Sequence, residues 1–316
     1  MHDQLVGLTY MLIGVTLYAS QAIVAKIALR QDVDPLTLVA VRFAFGLALH
    51  WTYAVLCRRV VRLPSGLLLR VGLLGALGSG VASTLSVLAL ARIPASHVAL
   101  LFATYPSWVT VGDRILNGVP ITRPRILGLA AALVGAAFLT LGENVQALGM
   151  RVNLGSILAL ANAICYAIFF VLSRRHVTRL SAGVVAPYYT TFAFLTLLLL
   201  RPPWQLVHAD LQPELWGPAL YMAAVGGFVG FFAFLKALQY FHSGEAALIG
   251  TLEPAMSVVL AYLILGEHLF GWQLAGLVLI LLGVLVGQLQ QLWPAVNAPA
   301  RRGGGSGGEG RSGRRR

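Results

Sequence analysis

The chain has 316 residues, of which 58% are hydrophobic and 11% are charged, and its formal net charge is +12. Soluble domains carry about 25% charged residues, so this composition excludes an ordinary soluble protein and indicates a polytopic membrane protein. In such a protein, excess arginine reflects orientation and contact with anionic lipid, so we expect no nucleic-acid partner.

Ten apolar stretches, most of them long enough to cross a bilayer as helices, follow one another along the chain. Short loops with proline, glycine or arginine separate them. The predicted spans are residues 5–29, 35–57, 67–91, 95–116, 125–143, 154–173, 182–200, 217–241, 244–265 and 271–291.

Arginine is concentrated in the loops of one side of the membrane. The arginines predicted on this side are Arg58, Arg59, Arg62, Arg70, Arg123, Arg125, Arg174, Arg175, Arg179 and those of the tail. The other side has one arginine in each loop. By the positive-inside rule, we expect a multi-pass protein of the cell inner (plasma) membrane with both termini in the cytoplasm.

The two halves of the chain repeat at a constant offset of 148 residues. The matched pairs include Gly7 with Gly155, Tyr18 with Tyr166, Gly78 with Gly226, Pro106 with Pro254, and Gly118 with Gly266. Each half has five spans, an odd number, so the copies must be inverted across the membrane. The predicted fold is therefore an all-α membrane protein of ten transmembrane helices in two inverted five-helix repeats, residues 1–148 and 149–296, with a disordered basic tail at 297–316. Inverted repeats are typical of carriers that bind solute near the middle of the bilayer.

The ninth span contains a carboxylate and a proline side by side, Glu253 and Pro254. A carboxylate at that depth costs several kcal/mol unless it is paired, protonated or next to a wet cavity, and proline removes a backbone hydrogen bond. Two interpretations stay open: Glu253 carries a proton or faces a substrate ammonium, or it is a satisfied carboxylate that stabilises a broken helix.

Three segments carry a family resemblance: DPLTLVAVRF with Asp34-Pro35 and Arg42, the stretch from Ala89 to Val109, and the stretch from Ala237 to Leu269. In these three segments, the sequence resembles the EamA-type proteins of the drug/metabolite transporter superfamily. The resemblance covers residues 5–291 and implies ten helices in two repeats and a secondary carrier, in many members an exporter of amino acids or other metabolites. The second repeat carries Leu265-Gly266-Glu267 and Glu253 where the first has Asn117-Gly118-Val119 and Tyr105.

Polar and aromatic residues within the spans are the candidates for substrate contact. The predicted substrate-binding residues are Tyr18, Arg42, Ser83, Tyr105, Trp108, Asn162, Tyr166 and Glu253, with Glu253 also the candidate for proton coupling. Arg42 is the expected partner of Glu253, because the two backbones differ in depth by about 6 Å; the alternative is that Arg42 reaches outward and anchors its span.

Other roles are open for several of these candidates. The stripe of Ser79, Ser83 and Ser86 fits helix packing as well as a cavity. Tyr105 and Trp108 form either an aromatic wall around the substrate or an interfacial anchor.

No motif in the chain predicts catalysis, ATP hydrolysis or a metal site, so we expect no enzyme activity, no cofactor and no metal. The predicted function is a secondary active transporter, an exporter of a small metabolite such as an amino acid, acting by alternating access around a mid-membrane cavity. A membrane enzyme or lipid-handling protein acting on a lipid-linked substrate is the alternative, and a passive pore is a third option. The expected partners are a small-molecule substrate and the lipid bilayer, with a homodimer left open.

Overall fold

The computed structural model describes residues 2–118, 123–124, 126–128, 130–131, 134–135, 153–202, 204–205, 212–241, 250, 252–267, 271, 274–283 and 285–286. In this part of the chain all regular structure is helical. The helices are α1 His2–Arg30, α2 Pro35–Leu56, α3 Ser65–Leu90, α4 Ala95–Phe102, α5 Tyr105–Asn117, α6 Leu154–Leu180, α7 Ala182–Leu200, α8 Pro213–Tyr240, α9 Leu252–Leu265 and α10 Leu274–Gly283.

Six of these helices, α1, α2, α3, α6, α7 and α8, are long and apolar enough to cross a membrane. The shorter α4 and α5 together occupy the predicted fourth span, which breaks at Ala103 and Thr104 just before Pro106. Most of the predicted fifth span, the start of the ninth and the basic tail lie outside the described residues. The expectation of an all-α membrane protein is confirmed.

Local sequence signals account for several helix ends. Asp34 caps α2: its carboxylate accepts a hydrogen bond from the Thr37 backbone N–H at 2.8 Å, and Pro35 occupies the first helical position. Gly118 and Gly266 follow α5 and α9 with φ of +68° and +67°, a left-handed conformation that glycine adopts without strain. The two glycines are repeat mates, so both copies end this helix in the same way.

The packing of the helices follows the repeat. α1 packs against α8 and α9, and its repeat mate α6 packs against α3 and against α4 and α5. α2 packs against α7, its own mate. The neighbours of α1 in the second repeat, α8 and α9, are thus the mates of α3, α4 and α5, the neighbours of α6 in the first repeat. This reciprocal packing is what a two-fold axis between the copies requires. A π-helical segment interrupts α3 at Gly75–Val81, and another interrupts its mate α8 at Met222–Gly230.

The copies run in opposite directions across the membrane. Lys26, near the end of α1, binds the carbonyl of Ile93 in the turn after α3. Gly155, at the start of α6, packs against the same Ile93. The end of α1 and the start of its mate α6 thus lie at one face of the bundle, and the inverted arrangement predicted from the odd span count is present.

Candidate solute-binding cavity

A cavity of about 140 Å³ lies between the two repeats. Helices α1 to α4 of the first repeat and α6 to α9 of the second contribute residues to its lining. Six of the eight predicted substrate-binding residues line it: Tyr18, Arg42, Ser83, Asn162, Tyr166 and Glu253. The cavity thus joins residues that are distant in sequence and belong to both copies, which is where the repeat architecture places a solute site.

The buried Arg42 guanidinium is held by Gln21. With the Gln21 amide oriented to satisfy both of its ends, its oxygen accepts from Arg42 Nη1 and Nη2 at 3.2 and 3.1 Å. The amide nitrogen donates to the Met222 carbonyl at 3.1 Å, and the guanidinium also lies 4.9 Å from the centre of the Phe43 ring. Gln21 is a neutral partner, so the positive charge of Arg42 is positioned but not neutralised.

The expected ion pair between Arg42 and Glu253 is wrong for this structure. Among the described residues, Glu253 forms no ion pair with Arg42. Tyr18 instead lies near both side chains. The depth estimate placed the two backbones within reach of each other, but it contained no information about the tyrosine or the glutamine beside them.

Glu253 lies in the first turn of α9 as the structure describes it. Three tyrosines, Tyr18, Tyr105 and Tyr166, lie near its carboxyl group. Tyr105 and Glu253 are repeat mates, and α9 packs against α4, the helix that comes directly before Tyr105. A hydroxyl-rich setting of this kind can accept or donate hydrogen bonds as the carboxyl group or a nearby solute requires.

Tyr105 and Trp108 lie outside the cavity lining. Tyr105 is almost fully buried behind Tyr166, with 5.3 Å between the ring centroids, and a Cβ at Gly250 would overlap its hydroxyl. The Trp108 indole donates a hydrogen bond to Thr104 Oγ1 at 3.3 Å. In this structure the two residues support the wall from behind, and direct substrate contact by either stays a prediction.

The polar stripes predicted from helical spacing reach the cavity. All three serines of the α3 stripe, Ser79, Ser83 and Ser86, line it, as does Ser257 one turn after Glu253. The cavity interpretation of the serine stripe, which the sequence left as one of two alternatives, therefore has geometric support.

His50 is a cavity residue that the sequence analysis missed. Its Nδ1 lies 2.8 Å from the Gly46 carbonyl and 3.2 Å from Thr190 Oγ1. Since a carbonyl only accepts, Nδ1 carries the proton and Nε2 of the neutral ring is an acceptor. Nε2 is buried and has no hydrogen-bond partner within the part of the chain that the structure describes. The available signal was the spacing of four that puts Arg42, Gly46 and His50 on one face of α2.

The sequence matches known transporters. The family model described as "EamA-like transporter family" matches residues 5–141 and 153–287, the two repeats. An "Uncharacterized transporter" of Clostridium kluyveri is 24% identical over 290 residues, which cover 89% of this chain and 92% of that protein. The "Uncharacterized transporter YyaM" of Bacillus subtilis is 20% identical over 192 residues, which cover 59% of this chain and 62% of that protein.

A solved crystal structure has the same fold. It superimposes with a TM-score of 0.62 over 92% of this chain and 98% of that one, at 21% identity. The family and the relatives' names point to a membrane transporter and not to an enzyme.

Proposed function

Because the chain belongs to the EamA-like transporter family, we propose that it is a secondary active transporter that exports a small metabolite, such as an amino acid, from the cytoplasm. Solute binds in the cavity between the repeats, and rocking of the repeats exposes that cavity to one side of the inner membrane at a time. The observation that carries the proposal is the cavity itself, which is lined by both copies and contains a guanidinium group and an ionisable carboxyl group. That the protein works as a homodimer stays a prediction.

The cavity offers separate partners for the two ends of a zwitterion. The Arg42 guanidinium, oriented by Gln21, can bind a carboxylate through two parallel hydrogen bonds. Glu253, surrounded by tyrosines, can bind an ammonium group. Because Arg42 and Glu253 do not pair with each other, both are available to a solute: Arg42 as a cation, and Glu253 as a carboxylate once it has released its proton. Phe43, Phe102 and Val87 in the lining supply apolar surface for the remainder of an amphipathic solute.

Glu253 is also the group proposed to couple transport to protons. A single carboxyl group in the membrane-embedded site can bind a proton when exposed to one side and release it to the other. Proton and solute compete for the same carboxylate if the solute carries an ammonium group there. Such competition would make export of the solute obligatorily linked to proton entry.

The test is transport by the purified full-length chain in proteoliposomes loaded with radiolabelled amino acids. The proposal expects saturable efflux and counterflow of at least one of them, lost in Arg42→Gln and retained in Arg92→Gln, which changes a residue outside the cavity lining whose Nη1 donates to the Leu88 carbonyl. The function would be rejected by absence of saturable flux for all amino acids and for small amphipathic amines and acids. Unsaturable ionic current would instead identify a pore.

A further inference from the structure

Glu267, just after α9, caps a helix of the other repeat. Its Oε1 accepts a hydrogen bond from the Ala95 backbone N–H at 3.0 Å. Its Oε2 accepts from the Ser96 N–H at 2.9 Å and from the Ser96 hydroxyl at 2.8 Å. The carboxylate thus satisfies the first free N–H groups of α4 and lies at the positive end of that helix.

Two basic residues of α1 complete this network. Lys26 Nζ donates to the carbonyls of Leu90 and Ile93 at 2.6 and 2.9 Å. Arg30 Nη1 donates to the Leu265 carbonyl at 3.2 Å, and its Nη2 lies 3.8 Å from Glu267. We call Lys26, Arg30 and Glu267 the latch, and the end of the bundle where they lie the latch face.

The latch holds the same residues that close one end of the cavity. Leu90 and Ala95 both line the cavity, and their backbone atoms are bound by Lys26 and Glu267 respectively. Ala25, adjacent to Lys26, lines it as well. Opening the cavity toward this face must move the turn between α3 and α4 away from α1 and α9, and that movement breaks latch contacts.

At the opposite face, the described residues form one part of the same arrangement. Arg174 is the repeat mate of Lys26, and its Nε donates to the carbonyl of Phe241, the mate of Ile93, at 3.1 Å. The position equivalent to Glu267 is Val119, which has no carboxylate. The cation–carbonyl contact is therefore shared by both faces, whereas a carboxylate at the position of Glu267, just after α9, occurs in the second repeat and not in the first.

From this asymmetry we infer that the latch is a gate, which keeps the latch face closed in the resting state and makes the opposite face the easier one to open. The inference rests on the proposed alternating access, and it adds which side of the membrane the cavity opens to in the resting state. The orientation predicted from the arginine distribution puts the latch face outside the cell. With that orientation, the resting carrier takes up solute from the cytoplasm, as an exporter must.

The gate is tested by labelling, without any solute, so that its failure is distinct from a failure of transport. Ser86→Cys in the cavity is the reporter, in a full-length chain with Cys57 and Cys165 replaced by alanine. A membrane-impermeant thiol reagent is added to sealed vesicles of either orientation. Because Glu267→Ala removes hydrogen bonds to a charged group that hold the turn between α3 and α4 in place, we expect it to speed labelling from the latch face by about tenfold or more.

Lys26→Met removes the carbonyl contacts but leaves the α4 cap, and it provides a second test if Glu267→Ala does not fold. Arg92→Gln, in the same turn, is the control and should label like the parent. Faster labelling confined to the latch face supports the gate. An unchanged rate, or equal acceleration from both faces, would overturn it, since equal acceleration indicates general loosening of the fold.

Discussion

Gly226 in α8 lies so close to Gln21 in α1 that a Cβ at residue 226 would overlap the Gln21 side-chain amide. The same contact occurs in the other copy, where a Cβ at Gly78 would overlap Phe169. Gly78 and Gly226 are mates at the offset of 148, and so are Gln21 and Phe169. The two copies thus share even this single contact between a glycine and the side chain opposite it. In one copy that side chain is the polar Gln21, and in the other it is the aromatic Phe169.

Gly226→Ala should impair function more than stability. The new methyl group displaces the end of the flexible Gln21 side chain, which can move, but Arg42 then loses the acceptor that orients it. We expect a melting temperature within a few degrees of the parent and a KM raised by about tenfold, the effect of losing a hydrogen bond to a charged group. A large loss of stability with normal KM would show that Gln21 has only a packing role.

Gly78→Ala should instead destabilise the fold. The Cβ would overlap the Phe169 ring and also its Cβ, which cannot move without shifting the backbone of α6. Overpacking of this kind costs about 1–3 kcal/mol. Denaturation of the detergent-solubilised variant should show this loss, while Gly66→Ala, at a glycine with nothing near its Cβ position, should be close to the parent. Equal stability of both variants would contradict the tight contact.

The repeat was predictable from the sequence because it depends on small residues. Gly7, Gly78, Gly118 and their mates occupy close contacts or left-handed helix ends, where other residues would be strained. Both copies therefore need glycine at these positions, and the offset of 148 can be read from the sequence. The stripes of cavity residues were predictable too, because helical periodicity determines which side chains share a face.

The pairing of the charged groups was not predictable in the same way. Arg42 and Glu253 lie at similar depths, but depth does not specify rotation about each helix axis, and Gln21 and Tyr18 occupy the space around Arg42. His50 was overlooked because a lone histidine within an apolar span resembles a core residue. Glu267 was seen only as part of a family motif, since its partners lie some 170 residues earlier in the chain.

Replacing the proposed proton carrier should uncouple transport. Glu253→Gln keeps the shape of the side chain but cannot release a proton, so accumulation driven by a pH gradient should be lost. Exchange of solute without a gradient should continue at a higher KM, because the neutral amide binds an ammonium group less tightly than a carboxylate does. The measurement is a comparison of gradient-driven uptake with counterflow in proteoliposomes. Glu214→Gln, an exposed acid in the first turn of α8, is the control. Intact gradient-driven accumulation in Glu253→Gln would remove the proton role.

His50 should contribute its Nε2 to solute binding. In His50→Asn, the amide nitrogen can replace Nδ1 as donor to the Gly46 carbonyl, but nothing replaces Nε2; in His50→Gln, the longer side chain can place an oxygen near the Nε2 position. We expect KM to rise by about tenfold in the asparagine variant and to be partly restored in the glutamine variant. The reverse order, with asparagine tolerated and glutamine impaired, would indicate that only the Gly46 contact matters.

The central claim is that one cavity between the inverted repeats opens to each side of the membrane in turn. Accessibility of Ser83→Cys tests it most directly, in the chain lacking Cys57 and Cys165 and with an impermeant thiol reagent applied to sealed vesicles of each orientation. The account predicts labelling from both faces, slowed on both by saturating amounts of the amino acid found to be transported. Labelling from a single face, with or without that amino acid, would contradict it.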